Sequence, residues 1–214
     1  MSRHIIKPAV LAVLFSAAVC TAASAESHAN SSRILIAYFS RVGNTEFPVK
    51  TDTDTRASVN VTKGSIEGNT EHIARMIQHS TGGNLHLIKT ERTYPVNYRT
   101  LVDEAKKDKD AAERPALAGE PINMDDYDTV FIGYPNWWYS MPMAVYSFLE
   151  AYDLSGKTVI PFVTHGGSGF SDTRAAIADL QPDAKLLNGL SVYGKAASGV
   201  RQADIDSWLA SLGL

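Results

Sequence analysis

Cysteine is almost absent from this chain of 214 residues, and the one example, Cys20, lies close to the N-terminus. A single thiol rules out a disulfide framework within the chain and a cysteine-based metal site. No G-x-S-x-G elbow occurs, so His165-Gly166-Gly167 has no serine nucleophile of the hydrolase kind to serve. Excess charge is also scarce: 20 Lys and Arg stand against 23 Asp and Glu, a formal charge of −3. Mild acidity disfavours a nucleic-acid partner. There is no low-complexity tract, and with 44% apolar residues the chain can build a full core.

What is present begins with an N-terminal segment unlike the rest. Arg3 and Lys7 give a positive start, Ala9 to Val19 is apolar apart from Ser16, and Ala23-Ser24-Ala25 comes next. That order is the pattern of a secretory signal peptide, so residues 1–25 are expected to be removed and the protein exported to the periplasm or beyond. The apolar run is short for a membrane span, and no Arg-Arg pair marks twin-arginine export. Loss of this segment removes Arg3, Lys7 and Cys20 and takes the formal charge to −5. Residues 26–32 then read as a linker and 33–214 as one domain, with no stable membrane span in the mature chain.

Within that domain, apolar runs alternate with helical patterns. From Arg33 to Phe39, the residues after the arginine form a continuous apolar run, the mark of a strand buried on both faces in a parallel sheet. Asn84–Lys89, Thr129–Gly133, Thr158–Thr164 and Lys185–Val192 supply four more strands. Helices are expected from Thr70 to Gly82, over Tyr98–Glu113, Met143–Ala151 and Asp172–Leu180, and around Ile205–Leu212. Five strands alternating with five helices predict a doubly wound α/β domain.

Gly-Asn-Thr-Glu occurs twice, at 43–46 and at 68–71. After the first copy come Phe47-Pro48-Val49 and a run of Thr and Asp with no apolar stripe. The second copy leads directly into His72-Ile73-Ala74-Arg75-Met76-Ile77. An anion is held by the free N–H groups and positive dipole end of a helix N-terminus. The second copy is therefore expected to hold a phosphate, with Asn69 or Thr70 near the helix start and Ser40 reaching the same point. The intervening residues, about 42–67, form an insertion. Inside it, Thr53, Arg56 and Ser58 carry donors that a phosphate would accept.

Ligands of doubly wound sheets bind outside the carboxyl ends of the strands. Here one strand ends in Gly133-Tyr134-Pro135-Asn136-Trp137-Trp138-Tyr139-Ser140, and the next in Thr164-His165-Gly166-Gly167-Ser168-Gly169. Adjacent tryptophans on a loop suggest an aromatic ligand face, and the glycines let backbone N–H groups approach a flat heterocycle. His72, His79 and His86 sit seven apart and do not converge, so no metal site is expected and all three are placed at the surface.

Together, Tyr38-Phe39-Ser40, Gly68-Asn69-Thr70-Glu71, Gly133 to Trp138 and Thr164 to Ser171 resemble the flavodoxin-like family, from about Arg33 to Leu214. The resemblance implies a five-stranded parallel sheet of order 2-1-3-4-5 with FMN at the switch point. It implies that Ser40, Arg41, Asn69 and Thr70 bind the FMN phosphate. It places Pro135, Asn136, Trp137, Trp138 and Tyr139 beside the isoalloxazine, and Thr164, His165, Gly166, Gly167 and Ser168 at its pyrimidine edge. The function so implied is electron transfer, with a redox protein or a small quinone-like molecule as partner. The loop 135–142 also resembles the flavin loop of NAD(P)H-dependent quinone reductases, which makes a two-electron reductase the alternative. A flavodoxin-like module without flavin is a third reading, since an exported chain would meet FMN outside the cytoplasm. In flavodoxins a peptide of this loop turns over as the flavin takes one electron, a movement that glycine eases. The stretch 135–140 has no glycine, and a bulky aromatic at positive φ is an outlier. The strain of turning such a peptide over is expected to oppose one-electron reduction, so electrons are expected to pass in pairs.

Overall fold

The computed structural model describes residues 33–48, 58–62 and 65–214. The expected signal segment and linker, and Thr53 and Arg56 of the insertion, lie outside the described residues. Among those described, no helix is long and apolar enough to cross a membrane.

In chain order the strands are β1 Ile34–Tyr38, β2 Val59–Thr62, β3 Ser65–Gly68, β4 Asn84–Leu87, β5 Lys89–Thr90, β6 Leu117–Ala118, β7 Thr129–Pro135, β8 Thr158–His165, β9 Lys185–Leu186 and β10 Leu190–Tyr193. The helices are α1 Asn69–Thr81, α2 Tyr98–Asp110, α3 Met143–Ala151, α4 Thr173–Leu180 and α5 Gln202–Ser211. The main sheet is parallel and runs β10-β8-β7-β1-β4, with β9 also paired to β8. Counting its five principal strands along the chain gives the order 2-1-3-4-5, as the sequence predicts.

Both faces of the sheet are covered, which explains the unbroken apolar strands. Leu35, Ala37, Val130, Ile132, Val159 and Val163 point to the layer that holds Leu101 of α2, Phe148 of α3 and Ile177 of α4. Their neighbours Ile36, Phe131, Ile160 and Phe162 point the other way, to Ile73 and Ile77 of α1 and Ile205 and Leu209 of α5. The strand's two-residue period thus sorts one apolar run into two cores.

Two expected strands are broken. Lys185–Val192 divides into β9 and β10, whose gap lies opposite Ile160 and Pro161 of β8. Pro161 has no N–H to give a partner strand, and Gly189 passes so close that a Cβ there would lie 2.1 Å from the Pro161 carbonyl oxygen. Asn84–Lys89 divides after Leu87, because Lys89 and Thr90 pair instead with β6. The expected insertion contains the antiparallel hairpin β2–β3. Gly68 is both the last residue of β3 and the N-cap of α1, so the hairpin feeds straight into the helix.

Candidate functional site

The two copies of Gly-Asn-Thr-Glu have different local chemistry. In the first, Gly43 has φ +91°, a conformation that needs glycine. Asn44 is buried, and its amide donates to the carbonyls of Ser40 (2.9 Å) and Ile88 (3.0 Å). Its oxygen accepts from the N–H of Thr90 at 2.9 Å. The first copy therefore fastens the end of β1 to the chain after β4. In the second, Gly68 is extended (φ −73°), and closeness selects glycine: a Cβ there would lie 1.9 Å from Ser40 Oγ. Ser40 thus does reach the start of α1. No side chain caps that helix, and the N–H of Asn69 donates to Ser58 O at 2.8 Å.

A cleft of about 510 Å³ opens at the carboxyl edge of the sheet. Ten of the predicted site residues line it: Asn69, Asn136, Trp137, Trp138, Tyr139, Thr164, His165, Gly166, Gly167 and Ser168. Four do not. Ser40 is buried beneath Gly68, and Pro135 is buried at the end of β7. Thr70 is buried and its hydroxyl lies 2.9 Å from that of Thr164, joining α1 to the end of β8. Arg41 is only 1% exposed, and its guanidinium donates to the carbonyls of Pro95 (3.2 Å) and Val96 (3.0 Å) and lies over Phe47. It braces the chain before α2, a use that four letters of local sequence do not reveal.

The loop after β7 departs from expectation. Trp138 and Tyr139 have φ of +55° and +62°. They form the tip of a two-residue turn closed by Trp137 N–H to Ser140 O at 2.9 Å and Ser140 N–H to Trp137 O at 3.0 Å. Positive φ at both central residues is the mark of a type I′ turn, whose usual occupants are Asn and Gly. The sequence treats positive φ here as a cost met only when the loop turns over; instead the paired hydrogen bonds, and the indole N–H of Trp138 bonded to Val102 O at 2.9 Å, already hold both aromatics in it, which removes the ground for expecting electrons to pass in pairs. Strain of this kind persists where its surroundings over-determine it. Trp138 is 38% and Tyr139 70% exposed, so the turn presents aromatic rings at the cleft mouth.

Trp137 is half-buried, edge-on to Phe39 and Tyr94, with its indole N–H bonded to Ser58 Oγ at 3.2 Å. Asn136 ties the β7 loop to the β8 loop through Gly169 O (2.9 Å) and Ser171 Oγ (3.1 Å). His165 Nδ1 accepts from the N–H of Gly167 at 2.9 Å, which leaves the ring proton on Nε2. Burial lowers its pKa, so the ring is neutral at pH 7. Nothing lies within 4 Å of a Cβ built at Gly166 or Gly167, so the backbone there is open to a ligand.

Sequence reasoning missed the wall formed by Tyr98, Leu101, Val102 and Ala105 of α2, and Gly194 after β10. The signal was there, since those helix residues are its apolar stripe; what was not legible is that Leu101 and Ala105, which are buried, also face the cleft. His86 was expected at the surface and is half-buried against Phe148. Among the described residues, no group of His, Cys, Asp or Glu is placed to hold a metal ion.

A doubly wound sheet with its cleft at the carboxyl edge, lined by a helix start, an aromatic turn and a glycine loop, defines a class of nucleotide-type binding folds. A family model described as Flavodoxin matches residues 58–211, and the chain belongs to that family. The match begins at Ser58, so it includes the second Gly-Asn-Thr-Glu and leaves out β1 and the first. No curated protein matches. Among solved structures, the chain is similar to a candidate flavoprotein of Bacteroides eggerthii DSM 20697, with 27% identity, TM-score 0.61, and coverage of 85% of this chain and 98% of that one. It is similar in fold to a candidate flavoprotein of Bacteroides uniformis ATCC 8492 (23%, TM-score 0.63, coverage 83% and 97%). A flavoprotein of Lactobacillus acidophilus NCFM, solved in complex with FMN, has the same fold at 17% identity and TM-score 0.53, with coverage of 73% and 91%.

Proposed function

We propose that the cleft binds FMN and that the protein transfers electrons. The observation that carries this reading is the mixed lining of one cleft. Asn69, Thr164 and the open backbone of Gly166 and Gly167 supply polar groups; Leu101, Val102, Ala105 and the aromatic turn supply apolar surface. FMN has the matching mixture, with a phosphate and ribityl tail, a polar pyrimidine edge and an apolar benzenoid edge.

The first-turn N–H groups of Thr70 and Glu71 have no acceptor inside the helix and would meet the phosphate, assisted by the dipole of a 13-residue helix. Asn69 would donate beside them. The backbone of 165–168 would hold the pyrimidine edge, with neutral His165 offering Nε2–H. Trp137, Trp138 and Tyr139 would flank the ring and exclude water. Bound FMN supplies one- and two-electron chemistry that no side chain of the cleft can provide.

A second reading, an NAD(P)H-dependent reductase of quinone-like acceptors, is favoured by one observation: Tyr139, 70% exposed at the mouth, leaves an aromatic surface that a flat small molecule can meet. The partner is then such an acceptor or another redox protein. We further propose that the protein is exported, from the charged start, the apolar run and Ala23-Ser24-Ala25. Mass spectrometry of the periplasmic or secreted fraction should find a mature N-terminus near Glu26, and a full-length chain in the cytosol would refute it.

The absorbance spectrum of protein purified from its native compartment tests the flavin. Flavin bands are expected; a chain that lacks them and fails to take up added FMN would be the flavin-free module. Rapid mixing of the FMN-loaded protein with NADH or NADPH, with and without a quinone, separates carrier from reductase.

A further inference from the structure

We propose that Ser58 is a positioning residue that makes the inserted hairpin part of the cofactor site, fixing the indole of Trp137 and the start of α1 relative to one another. This rests on the FMN reading given above. Ser58 is 3% exposed and immediately precedes β2. Its hydroxyl oxygen accepts from Trp137 Nε1 at 3.2 Å, while its carbonyl accepts from the N–H of Asn69 at 2.8 Å. One residue thus holds the aromatic loop with its side chain and the phosphate-end helix with its backbone. The next rung of the hairpin pairs Val59 with Gly68, the N-cap of that helix. One rung on, Asn60 Nδ2 donates to Asn69 Oδ1 at 2.5 Å.

The need for such a tie comes from the neighbours. Trp137 meets Phe39 and Tyr94 edge-on, at 5.3 and 5.5 Å between ring centres. Edge-on contacts hold a ring in place but set its direction poorly, whereas an N–H···O bond is directional. An indole N–H is a donor only, so it needs an acceptor such as a hydroxyl oxygen. At the other end, a glycine N-cap offers no side chain, and the Ser58 carbonyl takes up the first N–H of α1. A compact phosphate loop joins strand to helix within a few residues. Here the chain departs after β1 and returns as a hairpin, and Ser58 restores the fixed spacing that a short loop would give. Preorganisation of this kind lowers the ordering cost of binding.

The test uses the full chain with Ser58→Ala, Ser58→Thr, Trp137→Phe and the double variant Ser58→Ala/Trp137→Phe. Ser58→Ala should change the indole bands of the near-ultraviolet circular dichroism of the FMN-free protein and weaken FMN about tenfold, the scale of one lost hydrogen bond in a binding site. Ser58→Thr, which keeps the hydroxyl, should restore both. In the double variant, Ser58→Ala should add little to the loss already caused by Trp137→Phe, because the two residues act through one contact. An unchanged indole signal, wild-type FMN affinity, or losses that simply add would overturn the proposal. If Ser58→Ala does not fold, Ser58→Thr against Ser58→Val, equal in shape and different only in the hydroxyl, decides it. Failure of the wild type to bind FMN would overturn the FMN reading instead, and the indole signal of the free protein would still decide whether Ser58 positions Trp137.

Discussion

The two Gly-Asn-Thr-Glu segments carry the same four residues and serve different ends. Asn44 commits its amide to three backbone groups from two strand ends, whereas Asn69 lines the cleft. Gly43 is required by its φ of +91°, whereas Gly68 is required by the closeness of Ser40 Oγ. Thr45 buries a hydroxyl that has no hydrogen-bond partner among the described residues, whereas Thr70 meets Thr164. The role of such a motif is set by the element it leads into. Among the described residues the first copy opens no helix and becomes a fastening; the second opens α1 and gains the free N–H groups of a helix start.

Substitutions should separate the copies, with stability responding at the first and ligand affinity at the second. Asn44→Ala should have the largest effect. It leaves buried carbonyls and an N–H without partners, at about 1–3 kcal/mol each, so urea unfolding should show a loss of about 3 kcal/mol or more. Asn69→Ala should cost about 1 kcal/mol or less in the same measurement. Gly43→Ala comes next: a side chain at φ +91° would also lie 2.4 Å from Leu87 Cδ2, and a loss of about 2 kcal/mol is expected. Gly68→Ala carries no φ penalty but sets a Cβ 1.9 Å from the buried Ser40 Oγ, so it should lower both the unfolding midpoint and FMN affinity. Thr70→Ala, which breaks the bond to Thr164 at the cleft, should weaken FMN about tenfold in a fluorescence titration. Thr45→Ala should leave affinity unchanged and stability equal or improved, because it removes an unpartnered buried hydroxyl.

The smallest effect is one of pH. Burial lowers the pKa of His86, which lies on β4 two residues before Ile88, an anchor of Asn44. The folded chain resists a proton that the unfolded chain accepts below about pH 6.5. Stability from this source is present above that pH and is lost as pH falls towards the folded value. His86→Gln should flatten the acid limb of the pH–stability curve, and an unaltered limb would remove His86 from the account.

The sheet order was legible because each buried parallel strand is an apolar run of its own, and the runs alternate with helical stripes. The cleft loops were legible because they lie just past strand ends. Arg41 was not, because its partners are carbonyls more than fifty residues away. The break between β9 and β10 depends on Pro161 in the neighbouring strand, which a scan of Lys185–Val192 by itself does not include. Positive φ at Trp138 and Tyr139 was hidden for a related reason. Intrinsic preference argues against it, and the closing bonds between Trp137 and Ser140, with the Trp138 indole bond to Val102 O, override that preference.

The central claim is that the second copy, and not the first, holds FMN at the cleft. Titration of the FMN-free protein with FMN, monitored by flavin fluorescence, tests it most directly in the wild type, Thr70→Ala and Thr45→Ala. The account predicts quenching by the wild type, about tenfold weaker binding by Thr70→Ala and wild-type binding by Thr45→Ala. No quenching by the wild type, or a greater loss with Thr45→Ala than with Thr70→Ala, would contradict it.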